Sequence, residues 1–260
     1  MPISHLHTKP LNAWQTGEIL TYRIRWGLLT IGTARMEVRE RIIVNGQNCY
    51  QFKSAADGTD FINTFFPIRD RISSCWNPQT GSPVRTVKDL NEGNYHRYYE
   101  ADFKTDRSVK WKERSYSGNT DKPGKKRANP VVTDKSGITE NLPVGFLDIL
   151  SAIYYTRAYP REGLPGNSFR LTIYDDLKTG ILVMNILKKD TVTTEINSIK
   201  TIYEALVVKP EYETTGVFRS SGRVIVWISD DHRRLPLVIK AKIPYMGSVT
   251  VELTGYSCCG

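Results

Sequence analysis

Hydrophobic and polar residues alternate with a period of two over most of the chain. In Glu18–Trp26, Leu20, Tyr22, Ile24 and Trp26 fall on one side and Ile19, Thr21, Arg23 and Arg25 on the other. Period two with β-branched and aromatic residues predicts a half-buried strand. Gly27 and Gly32 bracket a turn or bulge before a long strand at Thr33–Val44. Asn45-Gly46 is a two-residue hairpin signal, and Asn48–Ala56 returns antiparallel. Strands are also predicted at Ile68–Trp76, Pro83–Leu90, Asn94–Phe103 and Ser108–Tyr116. Phe61–Pro67 breaks the alternation and reads either as a short helix or as a loop over a barrel mouth.

One segment changes period. In Pro143–Tyr159, Phe146, Ile149, Leu150 and Ile153 follow the i, i+3, i+4, i+7 rule of a helix. Pro160 and Gly163 stop it. Its apolar residues extend nearly all round, which predicts a helix buried on more than one side, as in the concavity of a curved sheet. Strands resume at Ser168–Asp175, Ile181–Lys188, Thr191–Asn197, Tyr203–Pro210, Arg223–Ser229, Pro236–Ile243 and Ser248–Thr254, with a turn expected at Lys178–Gly180. The expectation is a mainly β, single curved antiparallel sheet or half-barrel, made of two meanders with one main helix between them. It occupies residues 17–256, after an N-terminal extension (1–16) and before a short tail (257–260). Ser117–Thr139 is polar and basic and reads as an excursion from the sheet.

Composition narrows the classes. With 260 residues, 40% hydrophobic and 24% charged, the chain is long enough for a sizeable core in one domain. The net charge of +9 is spread along it, and only Lys122, Lys125, Lys126 and Arg127 cluster. A basic balance suits an anionic partner or simply a basic surface. Fragments such as His96-Arg97-Tyr98-Tyr99 fall short of a nucleic-acid groove, so no nucleic acid is expected as a partner. No apolar run is long enough for a transmembrane helix. The first fourteen residues lack the apolar core of a signal peptide, so the chain is either cytosolic or has lost its signal. The four cysteines show no metal spacing. Cys49 and Cys75 lie in neighbouring predicted strands, where a cross-link or two reduced thiols are both open. No metal or cofactor is expected.

Nucleotide-binding, zinc-protease and serine-hydrolase signatures are absent, and no catalytic residue is assigned. His96 and His232 are the histidines placed within patterned segments. Asp70 lies between Arg69 and Arg71, so alternation turns it to the opposite face from both arginines. If that face is inward, Arg97 or Arg85 is a suitable partner. Asp70, Glu92 and Asp230 are the carboxylates considered for a glycan-cleaving enzyme. The candidate ligand-contacting residues are Trp26, Asp70, Arg71, Glu92, Tyr95, Arg97, Trp227, Asp230, Asp231, Arg233 and Arg234.

Two segments are more than generic β sequence: GEILTYRIRWGLLTIGTARMEV at Gly17–Val38 and VIVWISDDHRRLPLVIKAKIPYMGSVTVELTGY at Val224–Tyr256. With FPIRDRISSCWNPQTGSPVR and FLDILSAIYYTR between them, the chain resembles the bacterial domain of unknown function 3108. The basic stretch near Asp121–Arg127 and the Cys-Cys-Gly end depart from that pattern. The resemblance implies an exported protein of the periplasm or outer envelope, with a half-barrel similar in outline to lipoprotein carriers. It brings no catalytic residues. The expectation is a non-enzymatic carrier of an apolar, lipid-like or glycan ligand, with a glycan-active hydrolase or lyase and an envelope assembly factor as alternatives. Oligomeric state is left open.

Overall fold

Asn45 and Gly46 both take positive φ (50° and 74°), the twist-matched geometry of a two-residue hairpin. The same paired positive φ recurs at Asp176-Leu177 and Asn197-Ser198, and antiparallel hairpins closed by these and by longer turns build nearly all of the described fold. The computed structural model describes residues 13–117, 131–158, 165–213, 223–243 and 247–258. The first meander comprises β1 (Ile19–Trp26), β2 (Leu29–Val44), β3 (Gln47–Gly58), β4 (Arg69–Asn77), β5 (Ser82–Glu92), β6 (Tyr95–Phe103), β7 (Val109–Ser117) and β8 (Val131–Thr139). The second comprises β9 (Ser168–Asp175), β10 (Lys178–Ile196), β11 (Ile199–Glu213), β12 (Arg223–Ser229), β13 (Pro236–Ile243) and β14 (Gly247–Ser257). Helix α1 (Asp60–Phe65) links β3 to β4, and α2 (Ile149–Ala158) lies between the meanders.

All fourteen strands form one antiparallel sheet in the order β8-β7-β6-β5-β4-β3-β2-β1-β14-β13-β12-β11-β10-β9. The chain starts in the middle, zigzags out to β8, crosses to the far edge at β9 and zigzags back until β14 pairs with β1. The sheet curls enough for its two ends to meet. Phe103 of β6 packs with Phe146 and Tyr174 (ring centroids 5.0 and 5.8 Å apart). Beside them, Lys88 of β5 donates to Asp175 (2.6 Å) and Asp176 (2.8 Å), and Arg97 of β6 pairs with Asp176 (3.0 Å). Leu147 bridges Ile173 in parallel and gives β9's outer edge a partner.

Several details depart from the alternation-based reading. Ser117–Thr139 holds strand β8, paired along β7. It alternates weakly because it is an edge strand, with Asp134, Lys135 and Ser136 all exposed. Gly137 gives Trp111 room, since a Cβ there would sit 2.9 Å from its ring. The basic run Lys122–Arg127 lies outside the described residues. The β9–β10 turn falls at Asp176-Leu177, both at positive φ (47° and 63°), rather than at Lys178–Gly180. Gly180 instead sits beneath Tyr212, whose hydroxyl would be 2.2 Å from a Cβ. Ile181–Lys188 and Thr191–Ile196 belong to one nineteen-residue strand, and Asn197 falls in the turn after it at positive φ (52°). Phe61–Pro67 resolves into α1 and its C-cap. The main helix starts at Ile149 rather than Pro143, because Phe146 and Leu147 are drawn into the seam; Tyr159 lies outside the described residues.

Helix α2 crosses the concave face. Asp148 caps it, accepting the Ser151 amide (2.7 Å) and the hydroxyls of Ser74 and Thr86. Tyr154 stacks on Phe52 (4.1 Å, 14°), and its carbonyl accepts the Trp14 indole N–H (3.2 Å). At the C-terminal end Arg157, 1% exposed, grips Glu18 through both η nitrogens (2.6 and 2.8 Å). Arg157 also donates to the carbonyls of Ala13 (2.8 Å) and Arg233 (3.0 Å). Across β3 and β4, the buried thiols of Cys49 and Cys75 hydrogen-bond to each other, and burial pushes the Cys75 thiol up to about 12.

Removing one member of the Arg157–Glu18 pair leaves a buried, uncompensated charge. Arg157→Met is therefore expected to cost about 3–5 kcal/mol of unfolding free energy, measured by urea denaturation. Adding Glu18→Met should recover only part of this, because the Ala13 and Arg233 carbonyls still lose their donor.

Candidate functional site

The helix divides the concavity unequally. Its Leu150, Tyr154 and Arg157 are buried, while Ile149 and Ile153 remain 37% and 38% exposed. These two residues, with Ala152 and Thr156, form one wall of a hollow of about 350 Å³. The other walls come from the inner faces of β1 and β2 (Tyr22, Met36) and of β10–β13 (Leu182, Met184, Tyr212, Val226 and Ile239 among them). The volume lies in the range of ligand pockets, and the lining is overwhelmingly aliphatic. Its polar groups are few: Thr156, whose hydroxyl donates to the Ala152 carbonyl (2.8 Å), the phenols of Tyr22 and Tyr212, and the Arg157 guanidinium already paired with Glu18. Burial pushes the Tyr22 hydroxyl well above the ordinary phenol range, and it stays protonated.

Register places this hollow toward the end of the sheet that carries α1, the β1–β2 turn and the β9–β10 turn. A second cavity, about 610 Å³, lies at the opposite end around Trp14, Glu18, Tyr50, Trp76, His232 and Tyr256. The Arg157–Glu18 pair stands between the two, with Arg157 lining the hollow and Glu18 the cleft. Trp14 meets Tyr50 and Trp76 edge-on (5.1 and 6.2 Å), and the Arg41 guanidinium covers the Tyr50 ring (4.4 Å).

The residues singled out from the sequence fall into separate places, and the hollow contains none of them. Asp230, Asp231, Arg233 and Arg234 make a charge-balanced turn between β12 and β13. Arg233 donates through Nε and an η nitrogen to one oxygen of Asp231 (2.9 and 2.6 Å) and Arg234 pairs with Asp230 (3.2 Å), which also takes Lys189 (2.8 Å). Burial alone would raise the Asp231 carboxyl; hydrogen bonds from Ser229 and Arg233 outweigh it and hold the group below the ordinary range. Trp227 donates to Asp190 (3.2 Å) and carries Lys240 over its ring (5.1 Å). Trp26 ends β1, opposite Leu29, and is 45% exposed.

Asp70, Glu92, Tyr95 and Arg97 share the inner face of β4–β6, by register. Neither expected arginine reaches Asp70. Arg97 goes to Glu113 (2.6 Å) and Asp176, and Arg85 lies on the outer face with Asp102 (2.6 Å). Asp70 instead accepts the Asn91 amide (3.0 Å) and hydrogen-bonds the Glu92 carboxyl. Burial raises both carboxyls, Glu92 further through the Asp70 charge. Arg71, on the outer face, pairs with Asp57 (2.7 Å). His96 stacks on Tyr116 (4.4 Å) and hydrogen-bonds Asn91 (2.6 Å); His232 lines the second cavity.

Among the described residues no group of three or more His, Cys, Asp and Glu is placed to hold a metal, and no helix is long and apolar enough to cross a membrane. The hollow's lining was missed because Met36, Leu182, Met184 and Val226 read as ordinary inward strand positions. The one available signal was the nearly all-round apolarity of the helix.

Comparison with known proteins gives a fold and a family. A crystal structure of a β-barrel-like protein of the domain of unknown function DUF1849, from Brucella abortus, superposes with a TM-score of 0.53 at 11% identity, over 94% of this chain and 98% of that one. At that identity the likeness concerns fold alone. No curated protein matches the chain. The family model described as "Protein of unknown function (DUF3108)" matches residues 21–254, from the second residue after β1 begins to the third before β14 ends. The chain belongs to the DUF3108 family.

Proposed function

We propose that the chain is a non-enzymatic carrier or binding protein of the bacterial cell envelope and that it takes an apolar, lipid-like ligand in the hollow between α2 and β10–β13. The carrying observation is the half-exposed Ile149 and Ile153 facing an aliphatic wall across about 350 Å³. Apolar side chains left short of contact inside a curved sheet gain from any alkyl group that fills the gap, at about 25 cal/mol per Å² removed from water. The envelope location rests on the family resemblance, and fractionation of cells producing the full-length protein tests it.

A glycan ligand is less well served. Sugars need open ring faces and many hydrogen-bonding groups. The aromatic cleft at the other end has Trp14 and Trp76 buried, and the Tyr50 and Tyr256 rings are covered by Arg41 and Arg233. The hydrolase alternative loses its carboxylate pair. Asp70 and Glu92 bond directly, closer than the roughly 5–9 Å separations that glycoside hydrolysis uses, and Asp230 lies in the turn at the opposite end.

Native mass spectrometry of protein purified without detergent should show a co-purified apolar mass. Ile153→Arg should remove it and weaken binding of a fluorescent fatty acid more than tenfold, with the melting midpoint within a few degrees of wild type. A clean mass and no binding across lipid panels would sink the proposal.

The Asp70–Glu92 pair predicts a pH effect. Both carboxyls hold protons more readily in the folded chain, so folding is favoured at low pH and loses stability as pH rises from the ordinary carboxylate range through the raised values. Glu92 stays exposed, which screens the effect. Glu92→Gln should therefore be more stable relative to wild type at pH 7 than at pH 4 in thermal melts.

A further inference from the structure

The hollow contains one polar atom whose situation asks for a ligand. Tyr22 is 2% exposed, lines the hollow from β1, and its hydroxyl has no hydrogen-bond partner among the described residues. Buried hydroxyls are rarely left unpaired in native proteins. Being protonated, this one has a proton to donate. We propose that the hollow binds an uncharged, single-chain acyl amphiphile, and that an ester, amide or alcohol oxygen of that ligand accepts the Tyr22 hydroxyl proton. The inference rests on the carrier reading above and specifies its ligand.

Charge decides against a carboxylate head group. Arg157 and Glu18 are the charges acting on Tyr22, and they are committed to each other. Arg157 spends further donors on the Ala13 and Arg233 carbonyls. Arg157, the member that faces the hollow and acts on Tyr22 more strongly than Glu18 does, is therefore already compensated by its buried partner. A ligand carboxylate at Tyr22 would meet no uncompensated cation, and would carry a net charge and its own desolvation cost into the hollow. An uncharged oxygen brings neither. The volume, at the small end of ligand pockets, suits one chain rather than two. Leu182, Met184 and Val226 offer that chain only apolar side chains.

The test uses the full chain and three C12 probes, methyl laurate, laurate at pH 8 and dodecane, each competing against N-phenyl-1-naphthylamine. Methyl laurate should compete at about tenfold lower concentration than laurate. Tyr22→Phe deletes only the hydroxyl. It should weaken methyl laurate about five- to tenfold, the value of one hydrogen bond, and leave dodecane unchanged. A merely structural Tyr22 would shift all three probes together. Equal competition by ester and carboxylate in the wild type overturns the inference even if the variant does not fold. An unchanged methyl laurate affinity in a folded Tyr22→Phe overturns it too, the hydroxyl then being served by water. Either result leaves the carrier reading standing. No competition by any probe, with no dye bound, removes that reading as well.

Discussion

A guanidinium sealed in a protein interior must be met on every side, and the fold converges on meeting Arg157. Its partners come from two places far apart in sequence, Glu18 and Ala13 at the entry to β1 and the Arg233 carbonyl in the β12–β13 turn, and it brings α2 to both. Desolvating two charges costs several kcal/mol each, and such a pair holds only when its geometry is complete. Here it is bidentate and backed by two carbonyls. The pair pins the C-terminal end of α2 to the middle of the sheet, where β1 and β14 join the first meander to the last. The hydroxyls of Ser74 and Thr86, donating to the capping Asp148, pin the other end to β4 and β5. A helix fixed at both ends across a concave sheet sets how much of the concavity is filled.

The curl that makes the sheet concave has its own fastening. Burial would strip the proton from Lys88, but Asp175 and Asp176 outweigh it and keep the ammonium charged. Asp176 sits in a turn where it and Leu177 both hold positive φ, a conformation costly for leucine. The two cations on Asp176, Lys88 and Arg97, tie that turn to the opposite half of the sheet. Phe103, Phe146 and Tyr174 close the seam beside it.

Much of this was legible in the chain. Period-two alternation located most of the strands, Asn45-Gly46 marked its hairpin, and the segments shared with the DUF3108 family pointed to a half-barrel. Weak alternation hid β8, because an edge strand solvated on both faces gains nothing from sorting its side chains. The site was hidden for a different reason. Tyr22 was on the inward side of a predicted strand, yet whether an inward residue meets another side chain or open space depends on where α2 lies. That position is fixed by Arg157 and Asp148, whose partners are 139 residues upstream in one case and 62–74 in the other. Charged turns such as Asp230–Arg234 attract attention in a sequence, and in the fold they satisfy themselves.

The two meanders end with different tasks. Beneath α2 on the β3–β4 side, Phe52, Trp76 and Trp14 pack with Tyr154 and fill the space under the helix, with the second cavity lying beyond them. On the β10–β13 side the inward residues are mostly aliphatic, Tyr212 excepted, and the helix turns toward them Ile149, Ile153 and Thr156 rather than an aromatic ring. Exchanging the two faces of the helix would have put Tyr154 into the hollow and filled it. The orientation that prevents this is the one in which Arg157 reaches Glu18. The same ion pair that orders the aromatic side of the helix therefore keeps the aliphatic side open, and a buried charge that is costly for stability becomes the element that preserves a ligand-sized space.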